Sequence, residues 1–215
     1  MNTKQTIFDC ALALFSQQGY NGVSMRDIAR KVGIKGSSIY NHYTGKKAIM
    51  DDICQTFART LTYSRPSLAE IEDHLDEQSA AEVFQSFILS YGQRIDQKWT
   101  QMARLIFSEH FYNDTAGQIF HQELIEKNAA YYVSVLTLLE QKGKIKCRDK
   151  QLIAHLFNNE QLMLSMQYAH AQTNDERQKL AKLMIRSAGY LIHGLERGNS
   201  NYSFGGKNNA EPGKS

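Results

Sequence analysis

Apolar residues recur along the chain at helical spacing. Ile7, Ala11, Leu14 and Phe15 fall at i, i+4, i+7 and i+8, the stripe of an amphipathic helix, which predicts a first helix over 3–18 stopped by Gly19. Ser24 precedes a second stripe, Met25, Ile28, Ala29 and Val32, and Asp27 is placed to reach back to the Ser24 amide as a capping-box variant. That helix is short and ends at Gly33, whose missing Cβ permits a sharp turn, with Ile34 as a plug for the corner. A further helical stretch, 36–43, sets Ile39 and Tyr43 on one inward face and Ser37, Ser38 and Asn41 on the other, with Tyr40 and His42 at the margins.

Thr44 and Gly45 break the pattern before a longer helix over 46–63. Residues 63–78 contain Pro66 and many polar side chains and read as a connection. Ser79 with Glu82 is a second capping signal, opening a helix with Val83, Phe84, Phe87, Ile88 and Tyr91. A break near Trp99 and another at 112–114 isolate a short helix from a long one over 115–142, closed by Gly143. Two helices complete the body, one capped by Asp149 and one by Asn174. Nowhere do strand alternation and hairpin turn pairs coincide. The expected fold is all-α with about nine helices: a helix-turn-helix unit over 1–47, a body over 48–197 reached through the fourth helix, and a flexible tail over 198–215.

Composition agrees with long helices. Only 2 of 215 residues are proline, roughly 1 % against an average near 5 %. The longest unbroken apolar run is Cys10 to Phe15, far short of the roughly 18 residues a bilayer span needs. The N-terminus lacks the continuous apolar segment of a secretion signal, so the chain reads as cytoplasmic. Three widely separated cysteines, Cys10, Cys54 and Cys147, suggest buried or half-buried thiols and no disulfide framework.

Charge sharpens the picture only when the chain is divided. The net +3 comprises +5 in the first 47 residues and −2 in the other 168. A basic head on a slightly acidic body suits a protein that meets an anion with one end.

The head also carries the chemistry for reading DNA. A small Ala29 and apolar Ile28, Val32, Ile34 and Ile39 around a glycine turn form a helix-turn-helix pattern, whose second helix can enter a major groove. On its outer face Ser37, Ser38 and Asn41 can donate and accept. Asparagine pairs with adenine N6 and N7, and Lys35 at the helix entrance can reach guanine O6 and N7. Tyr40, His42, Ser24 and Lys46 are placed for phosphates, as are the amides at the starts of the second and fourth helices.

Residues 7–50, through Ala11-Leu12-Ala13-Leu14-Phe15, Gly19-Tyr20, Ser24-Met25-Arg26-Asp27-Ile28-Ala29, Val32-Gly33-Ile34 and Ser38-Ile39-Tyr40-Asn41-His42-Tyr43, resemble the DNA-binding domain of TetR-family transcriptional regulators. The resemblance implies a homodimer through the last two helices, an inverted-repeat operator in double-stranded DNA, and repression relieved by a small-molecule effector bound in the body. It implies base or backbone contacts from Lys35, Gly36, Ser37, Ser38, Tyr40, Asn41 and His42, and a phosphate contact from Lys46. Two positions depart from the family pattern. Tyr43 replaces the usual phenylalanine, adding a hydroxyl that needs a partner. Lys47 stands where an acidic residue commonly caps the helix; a cation there is mildly unfavourable, which DNA phosphate facing Lys47 would offset.

An effector pocket requires an apolar lining with a few polar groups. The body offers Phe87, Tyr91, Trp99, Met102, Phe107, Phe111, Phe120 and Met163, with His110 or His121 as polar handles. No cofactor is expected beyond that unidentified effector. The seven histidines lack i, i+3 or i+4 partners among themselves, so no metal site is expected. Without a nucleophile elbow, P-loop or dinucleotide fingerprint the chain does not read as an enzyme. The alternative is a co-activator or interaction protein of the same fold working through a protein partner. An acid-rich or truncated recognition helix would favour it, and the chain has neither.

Overall fold

The computed structural model describes residues 2–94 and 96–196, with side chains of residues 91–94 excepted. Helices α1 (Thr3–Gln18) and α2 (Met25–Val32) are followed by a 3-10 turn, Ser38–Asn41, and by the long helix α3 (Lys46–Ser64). Then come α4 (Leu68–Glu72), α5 (Ala80–Arg94), α6 (Gln97–Glu109) and α7 (Asp114–Ile119). A π-helical stretch, Phe120–Lys127, joins α7 without interruption to α8 (Asn128–Gln141), and α9 (Lys150–His170) and α10 (Asn174–Glu196) follow. No strand occurs among the described residues, and no helix there is long and apolar enough to cross a membrane.

Local signals account for most boundaries. Asn2 caps α1 by accepting the Lys4 N–H, and Gly19 ends it at φ 75°. Ser24 and Asp27 close a full capping box on α2, and Gly33 ends it in the left-handed region at φ 80°. Ser79 and Glu82 form the same box on α5.

Four boundaries differ from the sequence expectation. The helical stretch over 36–43 is only a 3-10 turn: Gly36 and the serines and asparagine beside it give the backbone little helical preference. The connection over 63–78 contains α4, capped reciprocally by Ser67 and Glu70. The break placed near Trp99 lies at Asp96, whose carboxylate accepts the Trp99 N–H. Thr173, and not Asn174, caps α10 by accepting the Glu176 N–H. The tail expected over 198–215 lies outside the described residues.

Two hydrophobic clusters hold the molecule. In the first, α1, α2, the 3-10 turn and α3 share one interior with α6, α7 and the end of α9; Phe57 of α3 meets Trp99 of α6 with ring centres 5.4 Å apart. The second joins α4, α5, α8, α9 and α10 around Phe84, Tyr132 and Phe157. The core of the N-terminal unit therefore continues into the body. Fully burying an aromatic or branched aliphatic side chain contributes about 1.5–3 kcal/mol, so α6 helps fix the unit it packs on.

Candidate nucleic-acid interface

Burial sorts the residues after α2 into two sets. Ile28, Ala29 and Ile39 are inside, and Ile34 is half-buried against the same core. The Ile34 amide donates to the Ala29 carbonyl at 3.0 Å, closing the turn at Gly33. With Ile39 fully buried, the alternation of the 3-10 turn drives its neighbours outward: Lys35, Gly36, Ser37, Tyr40, Asn41 and His42 are exposed, and Ser38 is half-buried. The side chains of Lys35, Ser37, Ser38, Tyr40, Asn41 and His42 make no hydrogen bond or ion pair with any described residue. Tyr40 is 55 % exposed.

The flanking residues behave differently. The Ser24 hydroxyl donates to Asp27 Oδ2 at 2.5 Å while accepting the Asp27 N–H, so its proton is engaged in capping. Those Ser24 contacts hold the Asp27 carboxyl below its ordinary value. Lys46 donates to the carbonyls of Tyr20 and Val23 at 2.8 and 2.9 Å, and its ammonium lies 4.2 Å from the Tyr20 ring centre. Burial lowers its pKa, with the nearby Glu109 charge opposing that shift. Lys47 pairs with Asp51 one turn on at 2.9 Å yet stays largely exposed. Among the described residues no side chain caps the start of α3, which Gly45 opens, so its first amides are left without a side-chain acceptor. The extra hydroxyl of Tyr43 donates to Asp52 Oδ2 at 2.7 Å, and burial followed by that contact raises its pKa well above the ordinary phenol range.

Of the residues proposed from sequence for an effector pocket, Phe107, His110, Phe111 and Phe120 form a chain of ring contacts, while others are placed apart. Phe87 lies in the second cluster, whereas Trp99, Met102, Phe107 and Phe120 pack in or on the first. His110 stacks on Phe120 with ring centres 4.2 Å apart. Phe111 and Met163 are 82 % and 57 % exposed, and His121 is a surface residue beside Glu126. The Tyr91 side chain lies outside the described residues. Tertiary packing decides which aromatic stripe meets which, and no list drawn from helical spacing can supply that. A cavity of about 320 Å³ does exist elsewhere, lined in part by Arg65, Pro66, Ile71, His74, Val83 and Ser86. The signal missed there was the Ser67–Glu70 capping box that builds α4.

The three cysteines are free. Cys54 is fully buried, which pushes its thiol up to about 12. No group of three metal-ligating side chains occurs among the described residues.

A short glycine turn between α2 and a polar outward face, with cations around it and an anchor residue beneath, defines a helix-turn-helix DNA-binding protein. Residues 7–53 match the family model described as bacterial regulatory proteins, tetR family. A negative transcriptional regulator of the biofilm operon icaADBC, IcaR of Staphylococcus aureus, is 29 % identical over 159 residues, 72 % of this chain and 79 % of that one. Among solved structures, Salmonella enterica GusR superposes with a TM-score of 0.66 at 16 % identity, covering 91 % of this chain and 95 % of that chain. The ketosteroid transcriptional regulator KstR2 of Mycobacterium tuberculosis gives 0.63 at 17 % identity, covering 91 % and 96 %. Residues 7–53 thus match a tetR-family DNA-binding region, and the chain is similar over most of its length to DNA-binding transcriptional regulators of that kind.

Proposed function

We propose that this regulator is a homodimeric repressor that reads an inverted-repeat operator with residues 35–42 and is released by a small molecule bound in the body over 48–197. The observation that carries the reading is the contrast at the head: an exposed strip of donors and acceptors with no partner among the described residues, seated on a fully buried Ile39. Groups left unengaged at an exposed polar surface are available to base edges and phosphates without breaking an internal contact. Asn41 pairs with an adenine, Lys35 with a guanine, and Tyr40, His42 and Lys47 meet phosphates. Ser24 and Lys46 contribute by holding the backbone that presents those groups.

Dimerisation is supported by the outer faces of the last two helices. Leu152, Leu156 and Met163 share one side of α9, and Leu183 and Tyr190 are exposed on α10. An isologous pairing of those faces would place two heads for a two-fold symmetric site. Repression is supported by the S. aureus relative, which is named a negative regulator.

The test is selection of bound duplexes from a random pool, with the mass of the free protein measured in parallel by analytical ultracentrifugation. A two-fold repeat with half-site centres about one helical turn, or a multiple of it, apart and a dimer mass are expected. Recovery of unrelated sequences would overturn the operator reading, and a monomer at micromolar concentration would overturn the dimer. Mass spectrometry of molecules that co-purify with the protein identifies effector candidates. A true effector binds more weakly in the presence of operator by the same factor by which it weakens operator binding.

A further inference from the structure

The corner between α6 and α7 makes two contacts, one with the turn before α2 in the head and one with α3, the helix that leads out of it. At the first, Glu109, the last residue of α6 and 8 % exposed, accepts the Tyr20 N–H at 2.8 Å. The left-handed Gly19 brings that backbone close: a Cβ built there would sit 3.5 Å from Glu109 Oε1. At the second, Thr115 of α7 donates to Asp51 Oδ1 at 2.7 Å, and Asp51 pairs with Lys47 at the start of α3. Lys46 ties the two places together within the head, because its ammonium grips the Tyr20 and Val23 carbonyls from the first residue of α3. The turn leading into α2 and the beginning of α3 bracket the DNA-reading strip, so one frame carries all of it.

A helix such as α3 running from head to body is a single shaft, about which the head could swing. Attachments away from that shaft fix the angle: α1 packs on α6, where Lys98 pairs with Asp9 at 2.6 Å, and Glu109 holds the Tyr20 amide at the turn before α2. Glu109 is suited to this because its two ends do different work: its backbone carbonyl accepts the amides of Tyr112 and Asn113 at 2.9 Å each, shaping the corner, while its carboxylate holds the head. Movement at the end of α6 therefore reaches the Tyr20 amide without an intermediary.

We propose that Glu109 is a positioning residue that sets the angle of the head on the body, and through it the half-site spacing the dimer accepts. The inference rests on the inverted-repeat reading above. A residue that merely stabilised the head would affect every DNA alike, whereas one that sets the angle matters only when both heads must land at once. Three probes separate these: the repeat selected by the wild-type protein, the same duplex with one half-site scrambled, and a set of repeats with the spacing changed by one or two base pairs.

Glu109→Ala is expected to lose roughly tenfold on the selected repeat, the size of a charge-assisted hydrogen bond, with half-site binding within about twofold of wild type and a flatter spacing profile. Hydrogen exchange at the Tyr20 amide should quicken. Glu109→Gln, which keeps an oxygen acceptor and the side-chain shape, should restore most of the spacing preference. Equal losses on repeat and half-site, or an unchanged spacing profile with a faster Tyr20 amide, would overturn the assignment of Glu109 alone. A wild-type selection without a repeat would remove the operator reading and this one together.

Discussion

The strip over 35–42 and its flanks carry the same kinds of side chain: lysine, serine and polar neighbours close to the expected DNA surface. They differ in what the protein itself asks of them. On the strip, Lys35, Ser37, Ser38, Tyr40, Asn41 and His42 engage no described residue. On the flanks, Ser24 caps a helix, Lys46 holds two carbonyls and Lys47 pairs with Asp51. Position near a ligand does not by itself make a contact residue; the intramolecular partner decides whether a group is free to act. Recognition and presentation are thus divided between neighbouring residues of similar chemistry.

The largest effect that can break this division is at the anchor. Ile39 is fully buried beneath the strip. Ile39→Ala should cost about 2–5 kcal/mol in urea unfolding and abolish sequence-specific binding, since the strip loses its seat. Lys46→Ala comes next. Removing a charged donor from two carbonyls should cost about 1.5–3 kcal/mol, measured the same way, while the salt dependence of DNA binding stays close to wild type. A fall in the salt slope by about one contact with unchanged stability would place Lys46 among the phosphate contacts instead.

Asn41→Ala should do the opposite. Stability stays within about 0.5 kcal/mol, and discrimination at one base pair falls by about 1–3 kcal/mol, seen in competition between operator variants. Acid sharpens the comparison at the α3–α7 tie. Burial pushes the Asp51 carboxyl up, but hydrogen bonds from Lys47 and Thr115 outweigh it and hold the group below its ordinary value of 3.8. A carboxyl depressed in the folded state contributes stability above that value and loses it as pH falls through the lower folded value. Wild type should therefore lose stability below about pH 4 more steeply than Asp51→Asn. The smallest effect belongs to Lys47→Ala. Its pair with Asp51 is exposed to solvent and screened, so stability hardly moves, while the salt slope falls by about one.

Much of the head was legible because its signals are local. The Ser24–Asp27 box, Gly33 and the Ile28, Ala29 and Ile39 stripe lie within 16 consecutive residues, and each acts on neighbours in sequence. The 3-10 geometry of 38–41 was less so, since a serine-rich stretch supports either turn or helix. The body hid what depends on distant partners. The Tyr20 amide held by Glu109 lies 89 residues away, and a Glu-His pair in isolation says nothing. The partners of Lys46, 26 and 23 residues earlier, were equally invisible, so its charge read as available. Helical spacing in the body did not say which aromatics meet: Phe87 turns to one core, Phe107 to the other and Phe111 to solvent.

The central claim is that the unengaged side chains of the strip read the operator. It is tested most directly by the combined variant Ser37→Ala, Ser38→Ala, Asn41→Ala, titrated against the selected operator and against an unrelated duplex at one salt concentration. The account predicts that affinity for the operator falls to that for the unrelated duplex while the thermal midpoint of the protein is unchanged. An operator preference equal to that of the wild type would contradict it.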